Sequence, residues 1–150
     1  MTDGVDEQSE FVLLTGMSGA GRSTAANAME DLDWYVVDNL PPQMLRPLLD
    51  VSQRVGSALP RVAAVVDVRG RELFGDVPQA MRALRESRST RIIFLDASDE
   101  VLVRRFDAVR RPHPLQGDGT LVDGIRLERS RLAPIREAAD VIIDTSDLNI

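Results

Sequence analysis

Phe11–Thr24 reads FVLLTGMSGAGRST, and the three parts of this stretch belong together. Phe11 to Thr15 is a short, unbroken apolar run, the pattern of a strand covered on both faces. Gly16-Met17-Ser18-Gly19-Ala20-Gly21-Arg22-Ser23 follows with the spacing of G-x-x-x-x-G-K-[ST], arginine standing in the lysine's place. Ser23 opens an alanine-rich segment to Leu32, with Ala25, Ala28, Met29 and Leu32 at helical spacing. Strand, glycine loop and helix in this order build a phosphate cradle. The glycines admit backbone conformations closed to other residues, successive N–H groups turn toward the ligand, and the helix N-terminus adds partial positive charge. The expected ligand is ATP or GTP, with Ser23 placed to ligate Mg2+ and Thr24 as a second hydroxyl beside it.

Arg22 alters the chemistry of this loop. Lysine brings a compact ammonium to the β- and γ-phosphates, whereas arginine brings a larger planar fork. The charge is kept, so binding is expected to survive, and turnover depends on how well Arg22 serves the transition state. All 18 basic residues of the chain are arginine. Arg22 therefore reads as native rather than as an inactivating change.

Outward from the loop the same alternation repeats. Trp34–Asp38, Arg61–Val68, Arg91–Ala97 and Asp140–Asp144 are further apolar runs rich in Val and Ile, giving five strands in all. Between them, Pro41 and Pro42 open a helix whose course Pro47 disturbs. Asp76 caps a segment from Val77 to Ser87, with Ala80, Met81 and Leu84 inward. Ser98 caps another, with Asp99 and Glu100 in its first turn, and Thr120 with Asp123 resembles a capping box for a last helix reaching toward Pro134. Strand and helix in alternation imply parallel strands joined by right-handed crossovers: an α/β three-layer sandwich on a five-stranded parallel sheet. One domain is expected over residues 11–150, with residues 1–10 as an acidic, disordered leader.

Ligands of parallel α/β sheets bind beyond the carboxyl ends of the strands. Asp38, Asp67, Asp96 and Asp144 fall at such ends. A carboxylate that orients Mg2+ through water is expected in this kind of site. Asp67, in VVDVRG, is the first choice and Asp38, in VVDNLPP, the second, while Asp96 reads better as a structural cap. Arg69, Arg71, Arg110 and Arg111 flank the same face, and Arg110-Arg111-Pro112-His113-Pro114 reads as a lid whose arginines reach a nucleotide. His113 is the sole histidine; the prolines around it argue for a fixed loop conformation and against a tuned base.

Composition narrows the remaining classes. Hydrophobic content of 43% and charged content of 28% are those of a globular protein, and no apolar run is long enough to cross a bilayer. The chain has no cysteine, which excludes disulfides and thiolate chemistry. A net charge of −6 gives none of the positive excess that coats nucleic acid. A cytoplasmic location is expected.

GMSGAGRST, MEDLDWYVVDNLPP, VVDVRGRE, RRPHPL and ADVIIDTSDL, in this order, resemble the RapZ/YvcJ family of P-loop proteins from about Phe11 onward. The resemblance implies kinase-like P-loop topology and weak hydrolysis of ATP and GTP. It maps ATP onto Gly16 to Ser23 and GTP onto Asp67-Val68-Arg69-Gly70. It also implies a second domain beyond this chain that carries small-RNA binding and amino-sugar phosphate sensing, so RNA binding is not expected of this fragment. The leading expectation is a regulatory nucleotide-binding domain with slow triphosphatase activity, with Arg22 and Asp67 as catalytic candidates and the absent domain or another protein as its partner. The alternatives are a small-molecule kinase transferring the γ-phosphoryl of ATP, and an adaptor that no longer binds nucleotide.

Overall fold

A computed structural model of the protein describes residues 10–55, 60–66, 82, 84–86, 90–109 and 112–149. In chain order the elements are β1 (Glu10–Gly16), α1 (Arg22–Asp31), β2 (Tyr35–Leu40), a 3-10 turn (Pro42–Met44) running into α2 (Leu45–Val55), β3 (Arg61–Val66), β4 (Thr90–Asp96), α3 (Asp99–Val109), α4 (Leu121–Ala138) and β5 (Val141–Asp144). Among the described residues the five strands form one sheet in the order β2-β3-β1-β4-β5, and every pairing is parallel. Helices cover the sheet, giving the expected three-layer α/β sandwich.

The order of the strands explains the continuous apolar runs. β1 is central, hydrogen-bonded to β3 on one side (Leu14 opposite Val65) and β4 on the other (Leu14 opposite Ile93). With neither face open to water, Phe11, Val12, Leu13 and Leu14 are all buried, as are Val62–Val66 in β3. A fully buried Leu or Val side chain stabilises the fold by about 1.5–3 kcal/mol relative to exposure. β2 and β5 lie at the edges, where Tyr35, Val141, Ile142 and Ile143 remain exposed.

Local signals resolve as follows. Ser98 Oγ accepts the Val101 N–H at 3.3 Å, with Asp99 and Glu100 in the first turn of α3. Thr120 and Asp123 make a reciprocal capping box on α4, at 3.2 and 3.1 Å. Pro47 sits in the first turn of α2, where its missing N–H has no intrahelical partner to lose. One expectation needs correction. The last helix does not stop at Pro134 but continues to Ala138, because Leu132 and Ile135 on either side are buried in the core and hold the backbone helical. Of the residues at helical spacing in α1, Ala28 and Leu32 are exposed. Ala26 is the buried residue of α1, and Leu32, 65% exposed, caps a helix already ended by the left-handed turn at Asp33 (φ 69°). The cap proposed at Asp76, with Ala80 and Met81, lies outside the described residues; Leu84 is buried.

Candidate functional site

The loop Met17–Gly21 joins β1 to α1 at the carboxyl end of the central strand. Gly16 packs so closely on β4 that a Cβ there would lie 2.2 Å from the Leu95 carbonyl oxygen. The Met17 N–H donates to that same oxygen at 3.0 Å, and the Ala20 N–H donates back to the Met17 carbonyl at 3.0 Å. Gly19 (φ 88°) and Gly21 (φ 105°) take left-handed conformations that a side chain would strain. Met17 and Ala20 are fully buried, whereas Gly19, Ser23 and Thr24 are exposed and Arg22 is half-buried. The loop therefore hangs on its buried side chains and leaves Gly19, with Ser23 and Thr24 at the start of α1, exposed.

Gly21 is the N-cap of α1, and among the described residues no side chain caps the helix; its first turn contains no acidic residue either. The first N–H groups of a helix lack intrahelical acceptors, so those of Arg22, Ser23 and Thr24 are presented at a partly positive terminus. Of the other described helices that begin at this face, α3 is capped by Ser98 and α4 by the Thr120–Asp123 box. The 3-10 turn leading into α2 starts at Pro41 with no side-chain cap and carries Pro42 in its first turn. A residue earlier, Thr15 buries a hydroxyl that no described residue engages.

The shape of the loop is fixed from behind by residues far along the chain. The Ser18 N–H and hydroxyl both donate to Glu128, at 2.8 and 2.6 Å, and Glu128 lies buried in the middle of α4. Glu128 also accepts from His113 Nε2 at 2.9 Å. Burial alone raises the pKa of the Glu128 carboxyl, but the bonds from His113 and Ser18 outweigh it and leave it below the ordinary glutamate value. On the opposite flank, the buried Thr145 hydroxyl donates to the Ala20 carbonyl at 2.8 Å. The Arg105 guanidinium donates to the Gly19 carbonyl at 3.0 Å, to Thr145 and to the Leu148 carbonyl at 3.1 Å.

Beside Gly19 a groove of about 600 Å3 opens between α3 and the segment after β5, with Arg104, Phe106, Val109, Ser146 and Leu148 in its walls. Its position next to the loop, rather than beneath it, leaves the uncapped helix end accessible.

The candidate carboxylates separate into different roles. Asp96 ends β4 nearly buried, accepting from Arg129 at 2.9 Å, from Arg136 at 3.0 Å and from the Ala97 N–H. Its oxygens are spent on holding α4 to the sheet. Burial works against the Arg129 charge, but Asp96 and Asp99 outweigh it and keep that guanidinium above its ordinary pKa. Asp144 ends β5, where the Ser146 hydroxyl and N–H hold its carboxyl below the usual range. Asp38 is exposed in β2, at an irregularity between Val37 and Leu40 where Asn39 takes φ 54°. Its Oδ1 accepts the Asn39 N–H at 2.7 Å. Among the described residues no three His, Asp or Glu side chains gather closely enough to hold a metal ion by themselves. Asp67, Val68, Arg69, Gly70, Arg71, Arg110 and Arg111 lie outside the described residues.

Glu128 and Thr145 are absent from the sequence reading. Glu128 alone had a legible signal: it occupies a core position in the helical stripe Ile125–Glu128–Leu132–Ile135, where an apolar residue is expected. His113 does sit in an ordered loop, but it is buried against Glu128 rather than displayed at the surface.

The model of the RapZ-like N-terminal domain family matches residues 9–150. The chain belongs to this family. A nucleotide-binding protein of Leifsonia xyli subsp. xyli is 66% identical over 144 residues, covering 96% of this chain and 49% of that protein. A nucleotide-binding protein of Clavibacter michiganensis subsp. michiganensis is 58% identical over 143 residues, covering 95% and 49%. The chain thus spans about half the length of the curated relatives it matches. Among solved structures, shikimate kinase from Acinetobacter baumannii in complex with shikimate superposes with a TM-score of 0.58 at 18% identity, covering 97% of this chain and 88% of that one. Shikimate kinase from Bacteroides thetaiotaomicron gives 0.57 at 20% identity, covering 90% and 86%. At such identity the likeness concerns the fold alone, and this RapZ-like domain shares the P-loop kinase fold.

Proposed function

We propose that this RapZ-like domain binds ATP or GTP as a regulatory module and hydrolyses it slowly. The observation that carries the reading is the uncapped, acid-free N-terminus of α1, wrapped by a glycine loop whose outward face is left to a ligand. The names of the relatives support the same reading. The phosphates sit against the amides of Arg22, Ser23 and Thr24, and the base takes the groove beside Gly19, whose walls combine apolar Phe106, Val109 and Leu148 with polar Ser146.

The Arg22 guanidinium supplies the charge that neutralises the terminal phosphates. Ser23 would hold Mg2+, with Asp67 and, secondarily, Asp38 as its carboxylate partners, and the bound ion would supply charge neutralisation at the phosphates. Asp67 follows the last described residue of β3 in sequence. Asp67-Val68-Arg69-Gly70 and Arg110-Arg111 complete the nucleotide-binding set. The missing half of the longer relatives, or another protein, reads the state of the loop.

A thermal-shift titration with ATP and GTP, with and without Mg2+, tests the proposal on the wild type, Arg22→Ala and Arg22→Lys. Ligand at a hundred times its dissociation constant adds about 2.7 kcal/mol of stability. A Mg2+-dependent rise that Arg22→Ala weakens and Arg22→Lys keeps is the expected result. No rise with any nucleotide defeats it and leaves the adaptor reading. The exposed Asp38–Asn39 corner gives the kinase reading its one foothold, an open place for an acceptor. Product analysis separates the two: free phosphate supports hydrolysis, a phosphorylated metabolite supports transfer.

A further inference from the structure

His113 lies outside the phosphate loop, yet it reaches that loop by two routes. Its Nδ1 accepts the Leu115 N–H at 3.0 Å, which places the ring proton on Nε2 and makes Nε2 the donor to Glu128 at 2.9 Å. The two Glu128 oxygens then take the N–H and the hydroxyl of Ser18. His113, Glu128 and Ser18 are 2%, 2% and 4% exposed, so water does not replace any of these bonds. The second route is by contact: the His113 ring lies 5.1 Å from the Phe106 ring, and Phe106 Cε2 stands 3.1 Å from where a Gly19 Cβ would be.

The surroundings leave the histidine no slack. A Cβ on Gly124 would come within 3.0 Å of His113 Nδ1 and of the Gln116 backbone. Gln116 in turn accepts the His113 N–H at 3.0 Å through its side chain and donates to the Gly119 carbonyl at 3.1 Å. The segment from Pro112 to Gly119 is thereby locked onto the start of α4. A hydrophobic residue at position 128 would pack the helix as well. The carboxylate there does something packing does not need: it withdraws the Ser18 N–H and hydroxyl from the ligand side of the loop.

We infer that His113 is a positioning residue for the phosphate loop, acting through Glu128 on Ser18 and through Phe106 on Gly19. Phosphate binding at the loop and the conformation of the 112–119 segment are then coupled, and each stabilises the other. The inference rests on the nucleotide-binding reading above and adds to it a residue that never touches the ligand.

Because His113 is the only histidine, its ring nitrogens give single, unambiguous NMR signals in protein labelled with 15N-histidine. Titration with ATP–Mg2+ and GTP–Mg2+ is followed by these signals and, in parallel, by thermal shift. The expected wild-type result is ring signals that move along the same isotherm as the melting temperature. Ser18→Ala loses the hydroxyl bond to Glu128 while the Ser18 N–H bond remains, and in it the ring response per bound nucleotide shrinks. His113→Gln retains a donor near the Nε2 position and His113→Asn does not reach Glu128. The Asn variant should bind nucleotide about tenfold more weakly and the Gln variant should recover most of that loss.

Ring signals that stay still while the wild type binds overturn the inference and leave nucleotide binding intact. So do His113→Asn and His113→Gln variants that bind alike. Absence of any thermal shift in the wild type overturns both proposals together.

Discussion

Substituting Gly16 by alanine tests the most geometrically exact claim made of the loop. The added methyl would lie 2.2 Å from the Leu95 carbonyl oxygen and 2.8 Å from the Leu95 nitrogen, both main-chain atoms of the neighbouring strand. Carbon and oxygen rarely approach closer than about 3.3 Å, so β1 and β4 must part by about 1 Å at the point where Met17 hydrogen-bonds to Leu95. Overpacking of this kind costs about 1–3 kcal/mol. The positive φ of 154° at Gly16 adds a further cost of about 1–2 kcal/mol. Together, about 2–5 kcal/mol translates to a fall in melting temperature of about 4–20 °C for a chain of this size. Gly117→Ala is the matched control, because φ there is 57° but nothing lies within 4 Å of the added methyl. Calorimetry or thermal circular dichroism without nucleotide reads both variants. A Gly16→Ala protein that melts no lower than Gly117→Ala would refute the argument from close approach.

Other outcomes follow from the same contacts. Thr145→Val leaves the Ala20 carbonyl without its donor and should cost about 1–3 kcal/mol by denaturant titration, with weaker nucleotide binding as a second effect. Arg105→Lys replaces a fork that reaches Gly19, Thr145 and Leu148 by a point charge that cannot span them. It should destabilise the fold by about 1–2 kcal/mol and raise amide exchange at Gly19 and Ala20. The Glu128 carboxyl titrates below its unfolded value of about 4.3, so its contribution is complete above that pH and is lost as pH falls through the lower folded value. Melting temperature should therefore drop more steeply as pH falls below the unfolded glutamate value in the wild type than in Glu128→Gln; parallel curves would count against the carboxylate's role. Thr120→Ala removes the capping box of α4 and should cost about 1 kcal/mol in a urea titration, without changing nucleotide affinity.

The fold was legible because its signals are local. Unbroken apolar runs such as Phe11–Thr15 and Ile92–Leu95 belong to strands covered on both sides, and Ser98 and Thr120 announce helix starts by side-chain chemistry within three residues. The phosphate loop was legible for the same reason, since glycine spacing is a property of consecutive residues. What holds the loop in shape was not. Ser18 and Glu128 are 110 positions apart, Gly19 and Arg105 86, and nothing at either end of such a pair states its partner. Edge effects were equally hidden. Ile142 and Ile143 read like any buried strand residues, yet both are exposed, because β5 has a neighbour on one side only.

The bond from Thr145 to Ala20 crosses 125 positions of sequence. The phosphate loop leaves the ribosome well before the residues that buttress it. Until Thr145 arrives, the Ala20 carbonyl has no donor, and until Arg105 can bridge Gly19 to Leu148, the loop has no outer wall. A growing or partly folded chain thus carries the motif without the site. Ligand that binds only the finished shape draws the equilibrium toward it, so nucleotide concentration becomes a term in the maturation of the domain as well as in its output.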